Sequence, residues 1–275
     1  MSDKTVFLGA LGSGSSGNSF IIEWGDQALI VDQGFSRKEL LKRMDAAGFS
    51  PEKLCGALLT HEHSDHCKGS RVFCDDLNIP LYTTAKTANY LSRKGTLPQK
   101  VYAFEPGENF QLGKFHVRSF SLPHDAVDPV GFQISCDALK IGIATDFGHA
   151  PANIKGELKG CDALVLESNY DREMLMNSSR SLELKRRIFG VRGHLGNVDS
   201  CQLLPELLSE NTRLLLLAHI SSECNRPELV AENCSAMLNM LQMTDKLHFE
   251  ILSQDRPSSK FKLALSGNCQ CGEAL

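Results

Sequence analysis

The stretch Thr60-His61-Glu62-His63-Ser64-Asp65-His66 decides how this chain is interpreted. It places three histidines and an aspartate within six residues, directly after the apolar run 56–59. Because this run has the character of a buried strand, the residues after it lie together at one strand end. Neutral imidazole and carboxylate groups are the ligands that divalent transition metals prefer. The spacing therefore predicts a metal site, whereas an ordinary polar loop would need no such spacing.

The composition is that of a globular protein. Of the 275 residues, 42% are hydrophobic and 23% are charged, and both values are ordinary. No apolar stretch approaches the roughly 20 residues that a membrane-spanning helix needs. The first residues lack the basic and apolar regions of a signal peptide. We therefore expect a cytoplasmic protein that has no membrane partner.

Ten cysteines are scattered along the chain. In a chain of this length without an export signal, reduced thiols are expected rather than a disulfide framework. The one close pair is Cys269 and Cys271, near the C-terminus. Its spacing allows a metal-binding or redox role, but no second pair lies nearby, which favours two incidental thiols in a tail.

The formal net charge is −4. This value argues against a protein whose whole surface binds nucleic acid. It does not exclude a local phosphate site, because bound divalent ions would concentrate positive charge at one place.

Short apolar runs alternate with helical patterns along the chain. The clearest helix is predicted over residues 37–47, with Ser36 as its N-cap and Glu39 completing a capping box. A longer helix is predicted over residues 172–189. Two strand-rich halves, each followed by helices, indicate an α+β fold in which two sheets pack face to face with helices outside, an αββα four-layer sandwich. We expect one domain that spans residues 1–275.

Three further residues of metal-ligand type follow apolar, strand-like runs. They are His124, Asp146 and His219. Polar residues also end strands for ordinary turn reasons, so each one alone would carry little weight. Together with the histidine motif they indicate that ligands gather from several strand ends.

These motifs, in this order, resemble those of the metallo-β-lactamase fold superfamily. Asp32, in the segment Val31-Asp32-Gln33-Gly34, matches the first motif. The second motif is matched by His61, His63, Asp65 and His66. The third, fourth and fifth motifs are matched by His124, Asp146 and His219. The resemblance covers almost the whole chain, and it implies the αββα fold.

The resemblance also implies two divalent metal ions as cofactors. One metal would take His61, His63 and His124. The other would take Asp65, His66 and His219. Asp146 would bridge the two metals, and Asp32 would hold a ligand in orientation from behind. The ligand types do not identify the metal, because histidine–carboxylate sites accept zinc, manganese and iron.

Such a ligand set fits a dinuclear hydrolase. Two metals about 3.5–4 Å apart can share a hydroxide that attacks the substrate, and can hold both oxygens of an in-line displacement. Asp65 would bind metal and also orient or deprotonate the attacking water, which makes it a candidate catalytic residue.

The loop over residues 12–19 is a candidate for substrate binding. Its glycines allow backbone N–H groups to turn toward an anion, and Ser16 and Asn18 add donors. A flexible hairpin explains the same composition, so the loop alone decides nothing.

A second candidate is the segment from Arg180 to Asn197. Five basic residues lie between Arg180 and Arg192, and Gly193-His194-Leu195-Gly196-Asn197 follows. The basic residues by themselves are explained by a helix face exposed to solvent. The glycine-flanked histidine that follows them favours a phosphate-binding site. His194 would bind a phosphate or protonate a leaving oxygen. Asn169 would line the same rim.

Within the superfamily these segments look like the YycJ/WalJ-type branch. The matching segments are Ser16-Gly17-Asn18, Glu167-Ser168-Asn169, residues 193–197 and Ala218-His219-Ile220-Ser221. The resemblance implies a cytoplasmic phosphodiesterase, a nuclease with 5′-to-3′ exonuclease character that acts on DNA in preference to RNA. This chain has Gly196 where a serine is common in the branch, and Tyr170 where a histidine is common. We expect both to lie near the substrate rim.

Two other functions fit the same residues. The first is the same metal centre acting on a small phosphodiester, a thioester or a lactone, which the acidic net charge favours. The second is a metal-stabilised binding protein without turnover, which the complete ligand set disfavours. The sequence does not predict the oligomeric state.

Overall fold

The computed structural model of the protein describes residues 5–263 and 270–271. Cys269 lies outside these residues, and Cys271 is described only as part of a short strand. The described strands are, in chain order, β1 (Val6–Gly12), β2 (Ser19–Trp24), β3 (Gln27–Val31), β4 (Leu54–Leu58), β5 (Leu81–Thr84), β6 (Val101–Phe104), β7 (Asn109–Leu112), β8 (Phe115–Ser121), β9 (Val130–Cys136), β10 (Leu139–Ala144), β11 (Ala163–Glu167), β12 (Leu214–Ala218), β13 (His248–Ile251), β14 (Phe261–Leu263) and β15 (Gln270–Cys271).

The α-helices in the same part of the chain cover the sheets. They are α1 (Arg37–Ala46), α2 (Ser64–Cys67), α3 (Ser70–Asp76), α4 (Ala85–Arg93), α5 (Ala152–Leu158), α6 (Arg172–Asn177), α7 (Leu182–Phe189), α8 (Asn197–Leu207) and α9 (Pro227–Met240). None of these helices has the length and apolar character that crossing a membrane would require.

The described strands form two mixed sheets. The first has the strand order β15-β14-β1-β2-β3-β4-β5-β6, and the second has the order β13-β12-β11-β10-β9-β8-β7. In the first sheet β3 to β6 run parallel. In the second sheet β10 to β13 run parallel. Each sheet therefore has a block of strands whose carboxyl ends share one edge.

The central core lies between the two sheets. In β2, Phe20 and Ile22 face the second sheet, whereas Ile21 between them packs on the opposite side. The leucines of β12 alternate in the same way between the central core and an outer layer. Successive strand side chains point to opposite faces, and a strand buried on both faces is apolar throughout. The unbroken apolar run of β12 follows from this position.

Helices cover the outer face of each sheet. Leu40 of α1 and Phe73 of α3 pack on the first sheet, and Leu204 of α8 and Val230 of α9 pack on the second. The predicted α+β class and the αββα arrangement are therefore confirmed. Helix α1 begins as predicted, because the Ser36 side chain accepts a hydrogen bond from the backbone N–H of its third residue.

The prediction of one helix over residues 172–189 is wrong. The structure divides this segment into α6 and α7, and the residues between them are rich in serine. Serine side chains offer hydrogen bonds that compete with the helical backbone pattern. The Ser181 hydroxyl accepts from the Leu184 N–H and starts α7 afresh. The sequence patterns did not predict strands β5, β7, β14 and β15 or helices α2 and α5.

Both parallel blocks direct ligand-type residues to their carboxyl ends. The residues that follow β3, β4, β10 and β12 include Asp32, His61, Asp146 and His219. Because parallel strands present their carboxyl ends along one edge, the fold gathers residues that are far apart in sequence. The centre described next lies where these two edges meet.

Candidate metal centre

Three histidines form the first ligand cluster, called here the three-histidine cluster. They are His61, His63 and His124, and one ring nitrogen of each lies within 4.8 Å of the others. His61 and His124 are buried, with 1% and 2% of their surface exposed. The His63 Nδ1 and His124 Nε2 atoms are 3.4 Å apart. Three imidazoles at this spacing can hold one divalent ion.

Four residues form the second cluster, called here the carboxylate cluster. They are Asp65, His66, Asp146 and His219, and their ligand atoms also lie within 4.8 Å of one another. His66 Nε2 lies 3.3 Å from Asp65 Oδ2 and 3.1 Å from Asp146 Oδ2. His219 Nδ1 lies 3.3 Å from Asp146 Oδ1. The two clusters together contain all seven residues that the sequence nominated as ligands.

Asp32 lies behind the carboxylate cluster and is fully buried. Its Oδ2 atom is 2.7 Å from His66 Nδ1. Its Oδ1 atom accepts hydrogen bonds from the backbone N–H and the hydroxyl of Thr60. A carboxylate that binds one ring nitrogen fixes the ring and leaves the other nitrogen facing the centre. The geometry is that of a residue that orients His66.

The backbone is strained at three positions of this centre. Asp32, Asp146 and His219 have φ angles of 60°, 63° and 58°. Residues with a Cβ atom adopt this left-handed conformation rarely, at a cost of about 1–3 kcal/mol each. Each of these residues directly follows a strand or lies one residue beyond it. The left-handed turn directs a ligand side chain inward at the strand end, which a glycine could not do.

The donor set fits divalent metal ions. Three buried side-chain atoms at the centre have no hydrogen-bond partner among the described residues: His61 Nε2, His219 Nε2 and Asp146 Oδ2. Burying a polar atom without a partner costs free energy. Cations held in the two clusters would give these atoms partners. Imidazole and carboxylate donors suit zinc, manganese and iron.

The pKa shifts separate the two clusters. Burial, helped by the positive charge of His66, lowers the pKa of His61 well below its usual range, so this ring is neutral. Burial acts in the same direction on His66, but the carboxylates of Asp146 and Asp65 outweigh it and raise the pKa of His66 well above its usual range. For His219, burial is likewise outweighed, first by Asp146, and the pKa rises to about 10.

Glu167 is a residue of this centre that the sequence analysis did not select. It ends β11 and is fully buried. Its Oε1 atom lies 2.6 Å from His194 Nδ1 and 3.0 Å from His219 Nδ1. Burial raises the pKa of Glu167, but the adjacent His194 outweighs it and lowers the pKa. The carboxylate therefore stays charged and holds both rings. The sequence indicates this segment only through Glu167-Ser168-Asn169 at the end of an apolar strand, and it gives Glu167 no role of its own.

His194 joins the centre from the loop after α7. Its ring lies 5.1 Å from the His219 ring between centroids. Because Nδ1 binds Glu167, Nε2 is the ring nitrogen left for a ligand or a proton transfer. His194 also lines a cleft of about 130 Å³ between α7 and the centre, called here the α7 cleft.

The glycine-rich loop contributes to the centre through Asn18. This residue is fully buried. Its Nδ2 atom lies 3.3 Å from Asp65 Oδ2 and 3.1 Å from His66 Nε2. Asn18 therefore contacts the candidate metal ligands Asp65 and His66 and does not face solvent. The backbone N–H of the exposed Ser16 donates to Gln254 Oε1, and it is the neighbouring Ser15 that lines the α7 cleft.

The other two asparagines have different surroundings. Asn169 lines the α7 cleft, and its Nδ2 atom donates to the His219 carbonyl at 2.8 Å. Asn197 is buried, and its side chain bonds to Ser168 and Asn225. Because both ends of the Asn197 amide are occupied, this residue braces the loop and does not face the cleft.

Tyr170 and Gly196 form a single packing unit. They pair through an isolated β-bridge. A Cβ atom at Gly196 would lie only 2.8 Å from the Tyr170 ring. Tyr170 is 3% exposed and stacks edge-on against Phe189. Tyr170 is therefore a packed residue, and whether it lies near the substrate rim stays a prediction. Its ring fills the space that a side chain at position 196 would take.

Comparison with known proteins identifies the family. Residues 28–220 match the model of the beta-lactamase superfamily domain. The chain belongs to the metallo-β-lactamase superfamily. Within this superfamily it is 34% identical to exodeoxyribonuclease YycJ of Bacillus anthracis over 235 residues, which cover 85% of this chain and 89% of that protein. It is 33% identical to exodeoxyribonuclease WalJ of Streptococcus pneumoniae over 251 residues, which cover 89% and 91%. These values place it in the YycJ/WalJ branch.

A solved structure shows the same metallo-β-lactamase fold. The metallo-β-lactamase fold protein YhfI from Bacillus subtilis superposes with a TM-score of 0.69 over 93% of this chain and 99% of that chain, at 16% identity. The family and the His/Asp clusters together make this protein a metal-dependent hydrolase.

Proposed function

We propose that this protein is a dinuclear metal-dependent phosphodiesterase that degrades DNA as a 5′-to-3′ exonuclease. The observation that carries the proposal is the pair of adjacent ligand clusters, one of three histidines and one rich in carboxylates. The relatives named exodeoxyribonuclease, which match this chain over most of their own length, support the choice of substrate.

The clusters would each hold one of two divalent ions, zinc or manganese, with iron as a third choice. Asp146 would bridge the two ions. Its carboxylate contacts His66, and its charge acts on His61 and His124. When bound, such ions activate a water and offset negative charge on phosphate oxygens. Asp32 would keep the His66 ring turned toward its metal.

Two protein groups would handle protons. Asp65 lies at the edge of the carboxylate cluster, with 18% of its side chain exposed, so it can meet both a ligand and an incoming water. Its role is to orient that water or accept its proton. Across the centre, the Glu167 carboxylate contacts His194 Nδ1 and fixes the ring. His194 Nε2 would then donate a proton to the leaving oxygen.

The α7 cleft and Asn169 would position the substrate next to these groups. We also propose that the native protein is one domain over residues 1–275 and works in the cytoplasm. Eight described cysteines are free thiols, which suits a reducing compartment.

A small phosphodiester, thioester or lactone is the second candidate substrate. The net charge of −4 favours a small substrate over a long polyanion. Both candidates use the same metal centre, so the substrate itself has to be tested.

The test is a cleavage assay with protein loaded with manganese or with zinc. Labelled DNA and RNA strands and a chromogenic phosphodiester are offered to wild type, Asp65→Ala and Asp45→Ala. Asp45 is an exposed residue of α1 and serves as the matched control. Progressive shortening of DNA that is lost only in Asp65→Ala supports the proposal. Turnover of the small ester without shortening of either polymer would move the function to the second candidate.

A further inference from the structure

Helix α4 and its flanking segments carry positive charge without any acidic residue. Between Asp76 and Glu105 the chain has no aspartate or glutamate, although it contains 33 acidic residues in total. The same segment has four basic residues, Lys86, Arg93, Lys94 and Lys100. In a chain whose net charge is −4, this segment is a local source of positive potential, and such a potential attracts polyanions.

Three side chains of α4 form one exposed face within this segment. Lys86, Asn89 and Arg93 are spaced by three and four residues, so they lie on the same side of the helix. The opposite side of α4 is buried against the first sheet. The exposed face borders an open groove of about 470 Å³, called here the α4 groove, which is lined by Lys86, Asn89, Ser92, Arg93 and Val127.

The α4 groove begins beside the metal centre. Helix α4 follows β5 directly, at the sheet edge where the strand ends carry the candidate ligands. Val127 of the groove donates its backbone N–H to Glu62 Oε1 at 2.8 Å. Glu62 in turn lies between His61 and His63 in the chain. From this edge α4 runs outward, so a strand with one linkage at the centre can continue along the helix.

The groups that line the groove are accessible to a ligand. Lys86 Nζ lies 3.2 Å from Asp128 Oδ1, and the Lys86 side chain is still 63% exposed. A solvated ion pair of this kind contributes little to stability, so the ammonium group can also contact a phosphate. Arg93 is exposed further along the helix and offers five N–H donors. Val127, which is 41% exposed, adds an apolar contact for a sugar or a base.

The spacing of the two cations suits a strand of nucleic acid. Seven residues separate Lys86 from Arg93, which corresponds to about 10 Å along a helix axis. A strand presents one phosphate about every 3.4 Å, so two or three phosphates fit over this distance. A single phosphodiester is shorter than the distance, and therefore only a strand can contact both cations at once.

We propose that the α4 groove binds the phosphodiester backbone of a DNA single strand beyond the linkage that is cut, so that affinity depends on strand length. This inference rests on the proposed nuclease function. Contacts to internal phosphates position a strand without reading its bases, so the groove confers no sequence preference. Positive charge confined to this path also allows an acidic protein to hold a polyanion.

The test measures binding separately from cleavage. Fluorescence anisotropy at several salt concentrations compares metal-loaded protein on uncleavable phosphorothioate DNA single strands of about 4, 8 and 16 nucleotides, a range that spans common single-strand site sizes. The variants are the double substitution Lys86→Gln with Arg93→Gln, and Lys140→Gln with Lys159→Gln as the matched control. The control removes the same charge from exposed residues of β10 and the end of α5.

Wild type should bind the longest strand about tenfold more tightly than the shortest, as expected for added charge-assisted contacts. The double variant should lose most of this gain. Its slope of log affinity against log salt for the longest strand should fall by about 1.4, since each lost phosphate contact removes about 0.7. Its affinity for the shortest strand should stay close to that of wild type, and the control should match wild type throughout.

Hydrolysis of a chromogenic phosphodiester shows whether the metal centre of the double variant is intact, and its rate should equal that of wild type. If the double variant melts early, the two single variants should each give an intermediate affinity for the longest strand. Equal binding of all lengths by wild type, a length dependence that survives the double substitution, or an equal loss in the control overturns the proposal.

The two proposals fail in different ways. Length-dependent binding that needs Lys86 and Arg93, without cleavage of any polymer, would overturn the nuclease function and keep the groove as a strand-binding surface. Cleavage of long DNA by the double variant with an unchanged KM would overturn the groove assignment alone.

Discussion

The three-histidine cluster and the carboxylate cluster lie side by side, but they differ in charge. The first contains no carboxylate, and burial keeps His61 neutral. The second contains two carboxylates, and His66 and His219 hold protons that offset them. Both arise from strand ends of similar apolar character. The comparison shows that two neighbouring clusters at one edge can differ in charge: one offers a neutral imidazole, and the other pairs carboxylates with protonated imidazoles.

The largest expected effect comes from removing Asp146, the residue that would join the two clusters. Asp146→Ala removes contacts to His66 and His219, so we expect loss of metal from both clusters. Because metals provide several kcal/mol of transition-state stabilisation, kcat should fall by at least about 10³-fold. Hydrolysis rates and metal content by mass spectrometry check this. The exposed Asp45→Ala is the control, and two retained metals in Asp146→Ala would contradict the bridging role.

A variant of the first cluster separates the sites. His61→Ala removes one of three imidazoles, so the protein should retain about one metal equivalent in the carboxylate cluster and lose most of its activity, roughly 10²-fold or more. Equilibrium dialysis gives the stoichiometry. His116→Ala changes an exposed histidine of β8 and should behave as wild type. Loss of both metals in His61→Ala would show that the clusters do not fill independently.

A smaller effect is expected from the residue that orients His66. Asp32→Asn keeps the size of the side chain but removes the charge 2.7 Å from His66 Nδ1. Loss of such a partner typically weakens metal binding by about 10–100-fold. Competition with a chelator should show this loss in the carboxylate cluster only. An equal loss in both clusters would mean that Asp32 supports the fold of the whole centre.

The smallest effect is a difference in proton release. The pKa of His66 is raised well above its usual range, and the pKa of His219 is raised to about 10. Both rings are therefore protonated at pH 7. Metal binding to the carboxylate cluster must then displace about two protons. His61 is already neutral and releases none. Metal affinity of the carboxylate cluster should therefore rise as pH rises toward 10, whereas His61 and His124, whose pKa values are lowered, add no such dependence to the three-histidine cluster. Calorimetry in two buffers of different ionisation enthalpy, on His61→Ala and His66→Ala, measures the two values separately.

The residues of the two candidate clusters could be predicted because they follow strand-like runs in a recognisable order. Helix α1 could be predicted for a similar reason, since its cap and apolar face are local. The role of Glu167 could not, because it depends on the parallel pairing that places the end of β11 beside the end of β12. The break between α6 and α7 was missed because helical periodicity continues on both sides of the serine-rich turn.

The side-chain orientations of Asn18 and Asn197 also could not be predicted from the sequence. Asn18 and Asn197 have the same amide group, and both were expected to face substrate. One contacts Asp65 and His66, and the other lies in a buried network with Ser168 and Asn225. Packing around each amide decides which partners it finds, and periodicity carries no information on that packing.

The sequence by itself determined the fold family and the candidate metal-ligand residues, because strand ends and ligand spacing are local properties of the chain. The tertiary structure alone decided which residues share a cluster, which carboxylate holds which ring, and where the α7 cleft opens. The physical reason is distance along the chain. The Ser13 hydroxyl accepts from the His219 N–H across 206 positions, and such contacts exist only after the two sheets have packed against each other.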